Sequence, residues 1–289
     1  MPAVVALAAG PVGAAGRGPA PEHFRVVTFN TASGNPRIKT PQRAFLELPF
    51  YRDVIDGRSE APILALQEVG PEQVRALKDA AANGRFRLLH IQRPGQGNAL
   101  LIPQRFQVVS GRSCYLLASQ LRGIAAALWR AARGRGRPDH RQLGELRMFN
   151  EARLRDDRCG RVFTVFNTHL SADAHLRVVQ ARELFGRAHA ARRHGPVIVA
   201  GDLNTRAVEH RDLRQCRADA QVRALFPPLQ DMGAAAVDHW RSKTDYVLAH
   251  GFAPISSRLY TGDSLQLPGL PAAEVISDHY AQEDVLRFV

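Results

Sequence analysis

The chain is poor in cysteine, lysine and aromatic residues. Its three cysteines, Cys114, Cys159 and Cys216, stand in no C-x-x-C or Cys/His pattern, which argues against a zinc site. Two of them could pair in an exported protein; otherwise all three are expected as buried thiols. Lysine occurs only as Lys39, Lys78 and Lys243, so the net charge of +12 is carried by arginine. A GC-rich coding sequence produces that skew. The net excess nevertheless suits an anionic partner, because a basic surface attracts phosphates at long range and gains from counterion release. With 7% aromatics there is little material for a lipid-binding surface. No run approaches the roughly 18 apolar residues that a membrane-spanning helix needs.

What is present fits one large domain: 289 residues, 45% of them hydrophobic. Residues 1–22 are set apart. The stretch 2–15 is apolar and small and ends in VGAAGRG, resembling the last part of a secretory signal without its basic start. It is read as a leader or an Ala/Gly/Pro-rich tail, with a secreted protein expected and a cytoplasmic one as the alternative. A single domain then spans 23–289, with a basic insertion at about 116–147.

Polar residues recur at the tails of apolar runs: Asn30 in RVVTFN, Glu68 in ILALQE, His169 in VFTVFNTHL, Asp202 and Asn204 in VIVAGDLN, Asp245 in KTDYVLAHG, Asp278 and His279 in SDHY. Short apolar runs with β-branched members read as buried strands, and a polar residue at such an end is held at the rim of a sheet. Asn, Asp, Glu and His gathered this way are the donors of an oxygen-ligated divalent cation beside an acid/base pair. Mg²⁺ takes one or two carboxylates, so Glu68 is the expected ligand, with Asp278 second and Asn30 assisting; Mn²⁺ or Ca²⁺ suits the same donors. Asp202 and Asn204, two apart on an extended turn, point the same way, Asp202 to take a water proton and Asn204 to orient the water. His279 would carry charge to a phosphoryl oxygen, and His169 would donate a second hydrogen bond.

In that order the motifs TFN, QE, NTHL, GDLN, TDYV and SDH resemble the endonuclease/exonuclease/phosphatase superfamily, from about residue 25 to 289. The resemblance implies a deoxyribonuclease I-like α/β (α+β) fold: a two-layer β-sandwich of mixed sheets flanked by helices, with the active site at one rim. It also implies that the carboxylate behind His279 is Asp245, that Asn98 in RPGQGNALLIP contacts phosphate, and that Arg177 and Gln180 belong to the R-x-x-Q helix following THL. Two positions depart from it: Ala32 stands where some nucleases carry a second acid, and Lys243-Thr244 precedes Asp245 where Arg-Ile is common.

Periodicity places strands at 24–30, 62–67, 86–91, 99–102, 106–109, 148–154, 161–168, 197–201, 244–249 and 282–288. Helices are expected at 41–55, from Pro71, and at 172–193. Between 121 and 132 an apolar stripe carries Arg122 and Arg130, and RGRGRP follows. Such a stripe packs on a core, but its flank could grip nucleic acid or an anionic membrane. The functional expectation is a monomeric, metal-dependent phosphodiester hydrolase acting on DNA or RNA. The alternatives are a phospholipid or sphingomyelin phosphodiesterase, an inositol-phosphate phosphatase, or a binding module without chemistry.

Overall fold

The computed structural model describes residues 23–33, 42–93, 96–117, 147–206, 212–233, 243–261 and 277–289. The leader at 1–22, the stripe at 121–132 and the RGRGRP stretch lie outside the described residues.

Among the described residues, twelve strands form two six-stranded sheets. Sheet A has the order β11-β12-β1-β2-β4-β3 and sheet B the order β5-β6-β7-β8-β10-β9. Sheet A contains β1 (His23–Asn30), β2 (Ile63–Val69), β3 (Phe86–Arg93), β4 (Gln96–Pro103), β11 (Phe252–Tyr260) and β12 (Ala281–Phe288). Sheet B contains β5 (Phe106–Tyr115), β6 (Met148–Asp156), β7 (Val162–His169), β8 (Val197–Asp202), β9 (Gln230–Asp231) and β10 (Asp245–His250). Each sheet has one parallel pair, β1 with β2 and β7 with β8; every other pairing is antiparallel. Shifting every strand number by six, with β11 and β12 matching β5 and β6, maps sheet A onto sheet B. The chain is therefore a structural repeat, which no internal sequence similarity betrays.

Helices α1 (Pro49–Ile55) and α2 (Pro71–Ala81) cover sheet A. The outer face of sheet B is covered by α3 (Ala174–Ala191) and α4 (Leu213–Arg223). The 41–55 helix is divided, as a 3₁₀ segment over Gln42–Glu47 precedes α1. Pro71 opens α2 as expected, and the Gln42 side chain caps it by accepting from Glu72 N at 2.9 Å and Gln73 N at 3.3 Å. In α3 the helix starts later than periodicity suggests because Asp173 is its N-cap, accepting from His175 N and Leu176 N. The strands of periodic sequence start within one residue of expectation except β4, which begins three residues early at Gln96. Periodicity missed α4, whose sequence is mostly polar, and the edge strand β11, whose middle is exposed and contains Pro254. No described helix is long and apolar enough to cross a membrane.

Between the sheets the core is aromatic at one end. Phe24, Phe106, Phe163, Phe252 and Phe288 pack with ring centroids 4.9 to 5.7 Å apart. Behind sheet B the guanidinium of Arg177, 2% exposed, is paired with Asp219 at 2.8 Å and ties α3 to α4. The cysteines are free, and the expectation of three buried thiols fails: Cys159 is exposed, and Cys114 and Cys216 are partly so.

Candidate active site

Topology explains why the polar strand ends meet. In a parallel pair both C-terminal ends lie at one edge, so Asn30 and Glu68 on one sheet face His169 and Asp202 on the other. The antiparallel neighbour of each pair starts at that edge and brings Asn98 on β4 and Asp245 on β10. Asp278 and His279 sit on the turn entering β12. The rim thus assembles all of the candidate residues.

At its centre, His279 Nδ1 lies 2.7 Å from Asp245 Oδ2, and its Nε2 faces Asp202 Oδ2 at 3.8 Å. Asp202 is 1% exposed; its Oδ2 accepts from Asn30 Nδ2 at 3.0 Å and its Oδ1 from Asn204 N at 2.8 Å. Asn204 Nδ2 donates to Leu170 O at 2.9 Å, which fixes the amide's orientation, and lies 3.0 Å from His169 Nε2. That ring nitrogen also lies 3.3 Å from Asp202 Oδ2, and Nδ1 lies 3.8 Å from Glu68 Oε1.

The backbone is strained where it presents these groups. Among the described residues the non-glycine residues with positive φ are Ala32, Glu68 and Asn204, at 49°, 51° and 49°, and all three lie at the rim. Each costs on the order of 1 kcal/mol or more, a cost commonly met at functional sites. For Glu68 the twist has a direct purpose. Gln67 points into the sandwich, so plain alternation would turn Glu68 outward; the left-handed residue, at a break in the β2–β4 register between Leu66 and Val69, turns it to the rim instead.

Electrostatics follow from burial. Loss of solvent, with Asp245 nearby, pushes the Asp202 carboxyl up to about 7 against the pull of His279. Burial also raises Glu68, opposed by Arg147 and His279. For His279 burial disfavours the charged ring, yet Asp245, Asp202 and Asp278 together outweigh it and hold the imidazole well above its usual range.

Arg147, one of several charges of the basic insertion in sequence, also stands at the rim. It is 9% exposed, and its Nη1 lies 2.9 Å and 3.1 Å from the two ring nitrogens of His169. A small recess beside it is lined by Glu68, Asn98, Met148 and His169, among others. Asn98 is not a turn residue: it lies in β4, 2% exposed, and its Nδ2 donates to Met148 O at 2.9 Å. Arg177 and Gln180 lie away from the chemistry. Gln180 accepts from Ser171 N at 2.7 Å and so secures the turn after His169.

Two oxygen-rich groups could hold a cation. Ligand atoms of Asp202, Asp245 and His279 lie within 4.8 Å of one another. In that trio His279 Nδ1 and Asp245 Oδ2 are paired with each other at 2.7 Å, the geometry of an acid/base dyad, which leaves His279 Nε2 and Asp245 Oδ1 as its donors beside Asp202. The remaining set is Glu68, Asp278 and Asn30.

No curated protein matches the chain. Among solved structures, the D. rerio TDP2 complexed with single strand DNA product is similar at 16% identity, covering 92% of this chain and 99% of its own, with a TM-score of 0.63. The human Nocturnin catalytic domain with bound sulfate anion is similar at 20% identity, covering 92% and 94%, TM-score 0.63. The Bacteroides thetaiotaomicron VPI-5482 mannosyl-6-phosphatase shares 14% identity over 92% and 100%, TM-score 0.55. These likenesses establish the deoxyribonuclease I-like fold. The model of the Endonuclease/Exonuclease/phosphatase family matches residues 27–279, running from β1 through the His279 dyad, and the chain belongs to that family.

Proposed function

We propose that the protein is a Mg²⁺-dependent phosphodiester hydrolase acting on nucleic acid. The observation that carries this reading is the His279–Asp245 pair at 2.7 Å, facing the buried Asp202 across the rim at 3.8 Å. Glu68, Asp278 and Asn30 would hold the ion, an all-oxygen set with two carboxylates that suits Mg²⁺. The fit is supported by charge: burial raises the Glu68 carboxyl and the neighbouring Asp278 carboxylate raises it further, a repulsion that a bound cation would relieve. When bound, the ion withdraws charge from a phosphoryl oxygen.

The chain's own residues supply the rest. Asp202, titrating near 7, is matched to accept a proton from water at neutral pH. Asn30 Nδ2 and Asn204 N hold its two oxygens in place. The protonated His279, oriented by Asp245, donates from Nε2 toward the charge that develops on phosphate. Arg147 adds a permanent cation beside His169. The preference for nucleic acid is supported by the net charge of +12 and by the DNA product bound to the similar TDP2. A sugar-phosphate monoester is the second reading, supported by the mannosyl-6-phosphatase of the same fold.

The test is a substrate panel of plasmid, single-stranded DNA, RNA, a bis-aryl phosphodiester and mannose 6-phosphate, assayed with Mg²⁺ and with EDTA, using the native protein and Glu68→Gln. Hydrolysis of nucleic acid that EDTA abolishes, with Glu68→Gln needing more Mg²⁺ for half activity, is the expected result. Turnover of the monoester alone would move the assignment to a phosphatase. Metal-independent turnover would overturn the ion.

A further inference from the structure

The interior of the sandwich changes character as it approaches the rim. Inward positions on β7 run Phe163, Val165, Asn167 and His169, and on β2 Ile63, Ala65 and Gln67. Between the apolar core and the charged rim lies a layer of neutral amides: Gln67, Asn150 and Asn167 are each 0% exposed.

Asn167 joins the two sheets. Its Oδ1 accepts from Gln67 Nε2 at 2.8 Å, and its Nδ2 donates to Leu66 O at 3.0 Å and Ala99 O at 2.9 Å, all on sheet A. The same Nδ2 reaches Asn150 Oδ1 at 3.0 Å on its own sheet. Gln67 Nε2 also donates to Ala65 O at 2.9 Å. The contacts fall where the β2–β4 register breaks, between Leu66 and Val69, the irregularity that turns Glu68 to the rim.

Stability alone gives little reason for this layer. A fully satisfied buried polar network exchanged for apolar groups of the same shape is often neutral or stabilising. What it provides that packing does not is fixed length: apolar side chains can slide past one another, whereas hydrogen-bonded amides fix distance and register. Gln67 adjoins Glu68, and Asn167 is two residues from His169. We propose that Gln67 and Asn167 are positioning residues, an amide clamp that sets the gap between the sheets and holds the β2 irregularity so that Glu68 on one sheet meets His169 and Asp202 on the other. The geometric claim stands by itself; its catalytic consequence rests on the metal-dependent hydrolase reading.

The test uses Gln67→Met, Asn167→Leu and the double variant, each close in shape to the original. The readouts are Mg²⁺ binding by calorimetry, kcat and KM at a temperature well below Tm, and ring NMR signals of His169 and His279 with His250 as the distant reference. Each single variant is expected to weaken Mg²⁺ binding and lower kcat about tenfold or more. Both site histidines should shift or broaden while His250 stays put, and the double variant should be little worse than the worse single one, as coupled residues behave. Should Asn167→Leu fail to fold, Gln67→Met carries the test, because it leaves Asn167 its three oxygen acceptors. Lower Tm with native histidine signals would overturn the clamp and return the layer to a purely structural role. So would effects that simply add in the double variant. A native protein that neither binds Mg²⁺ nor hydrolyses any phosphodiester would sink the functional reading instead, and the histidine signals would still decide the clamp.

Discussion

Replacing Asp202 with asparagine should stabilise the protein at alkaline pH while inactivating it. The folded carboxyl titrates at about 7 rather than 3.8, so between these values the native state keeps a proton that the unfolded chain has released. Stability from this group is therefore greatest below about pH 4 and falls as the pH rises through 7. Three units at 1.36 kcal/mol each put the cost of ionised Asp202 at about 4 kcal/mol at pH 8. Asparagine avoids that cost. Its oxygen can still accept from Asn204 N, but its NH₂ then meets Asn30 Nδ2, losing one hydrogen bond worth about 1–2 kcal/mol. The net gain is about 2–3 kcal/mol, a rise in Tm of roughly 4–6 °C for a domain of this size. Thermal melts of both proteins in EDTA from pH 4 to pH 8.5 measure it. The gain should shrink as the pH falls and become a small loss near pH 4, while kcat with Mg²⁺ drops about 10²- to 10⁴-fold. A variant less stable by the same amount at every pH would refute the argument, since it would mean that the ionised carboxylate is held favourably.

Arg147→Met should lower kcat/KM about 100-fold, with Arg147→Lys recovering part of the loss, if its charge faces developing phosphate charge; steady-state kinetics at saturating Mg²⁺ would show equal activities if it only packs on His169. Asp219→Ala leaves the guanidinium of Arg177 buried without its ion partner and should cost about 3–5 kcal/mol in urea melts, whereas Arg177→Met with Asp219→Leu should cost clearly less. Equal losses would mean that packing, not charge, is what the pair supplies. Gly201→Ala should destabilise by about 3 kcal/mol or more, because φ is 145° and the added Cβ would lie 2.0 Å from Thr168 O in the neighbouring strand. A native-like urea midpoint in that variant would show that the β7–β8 pairing opens easily to make room.

Local sequence preference is enough to place the strands that carry the site and the residue types at their ends. Both are local properties: β-branched apolar runs prefer extended, buried chain, and a polar group at the end of such a run must reach the edge of the sheet to be solvated or bonded. Tertiary structure decided which ends meet. That the parallel pairs β1–β2 and β7–β8 open toward one rim depends on strand order in space, and the repeat relating the two sheets leaves no trace in residue identity. Glu68 reaches the rim only through a left-handed backbone residue at a break in register, which alternation cannot foretell. Arg147, seen in sequence as one charge among several in a basic stretch, becomes a buried neighbour of His169 only because β6 starts beside the end of β7. Asn167 and Gln67 sat inside the NTHL and QE motifs, yet their bonds join residues about a hundred positions apart. Polar α4 and exposed β11 were missed for the converse reason, since their place is fixed by the neighbours they pack against and pair with rather than by any pattern of their own.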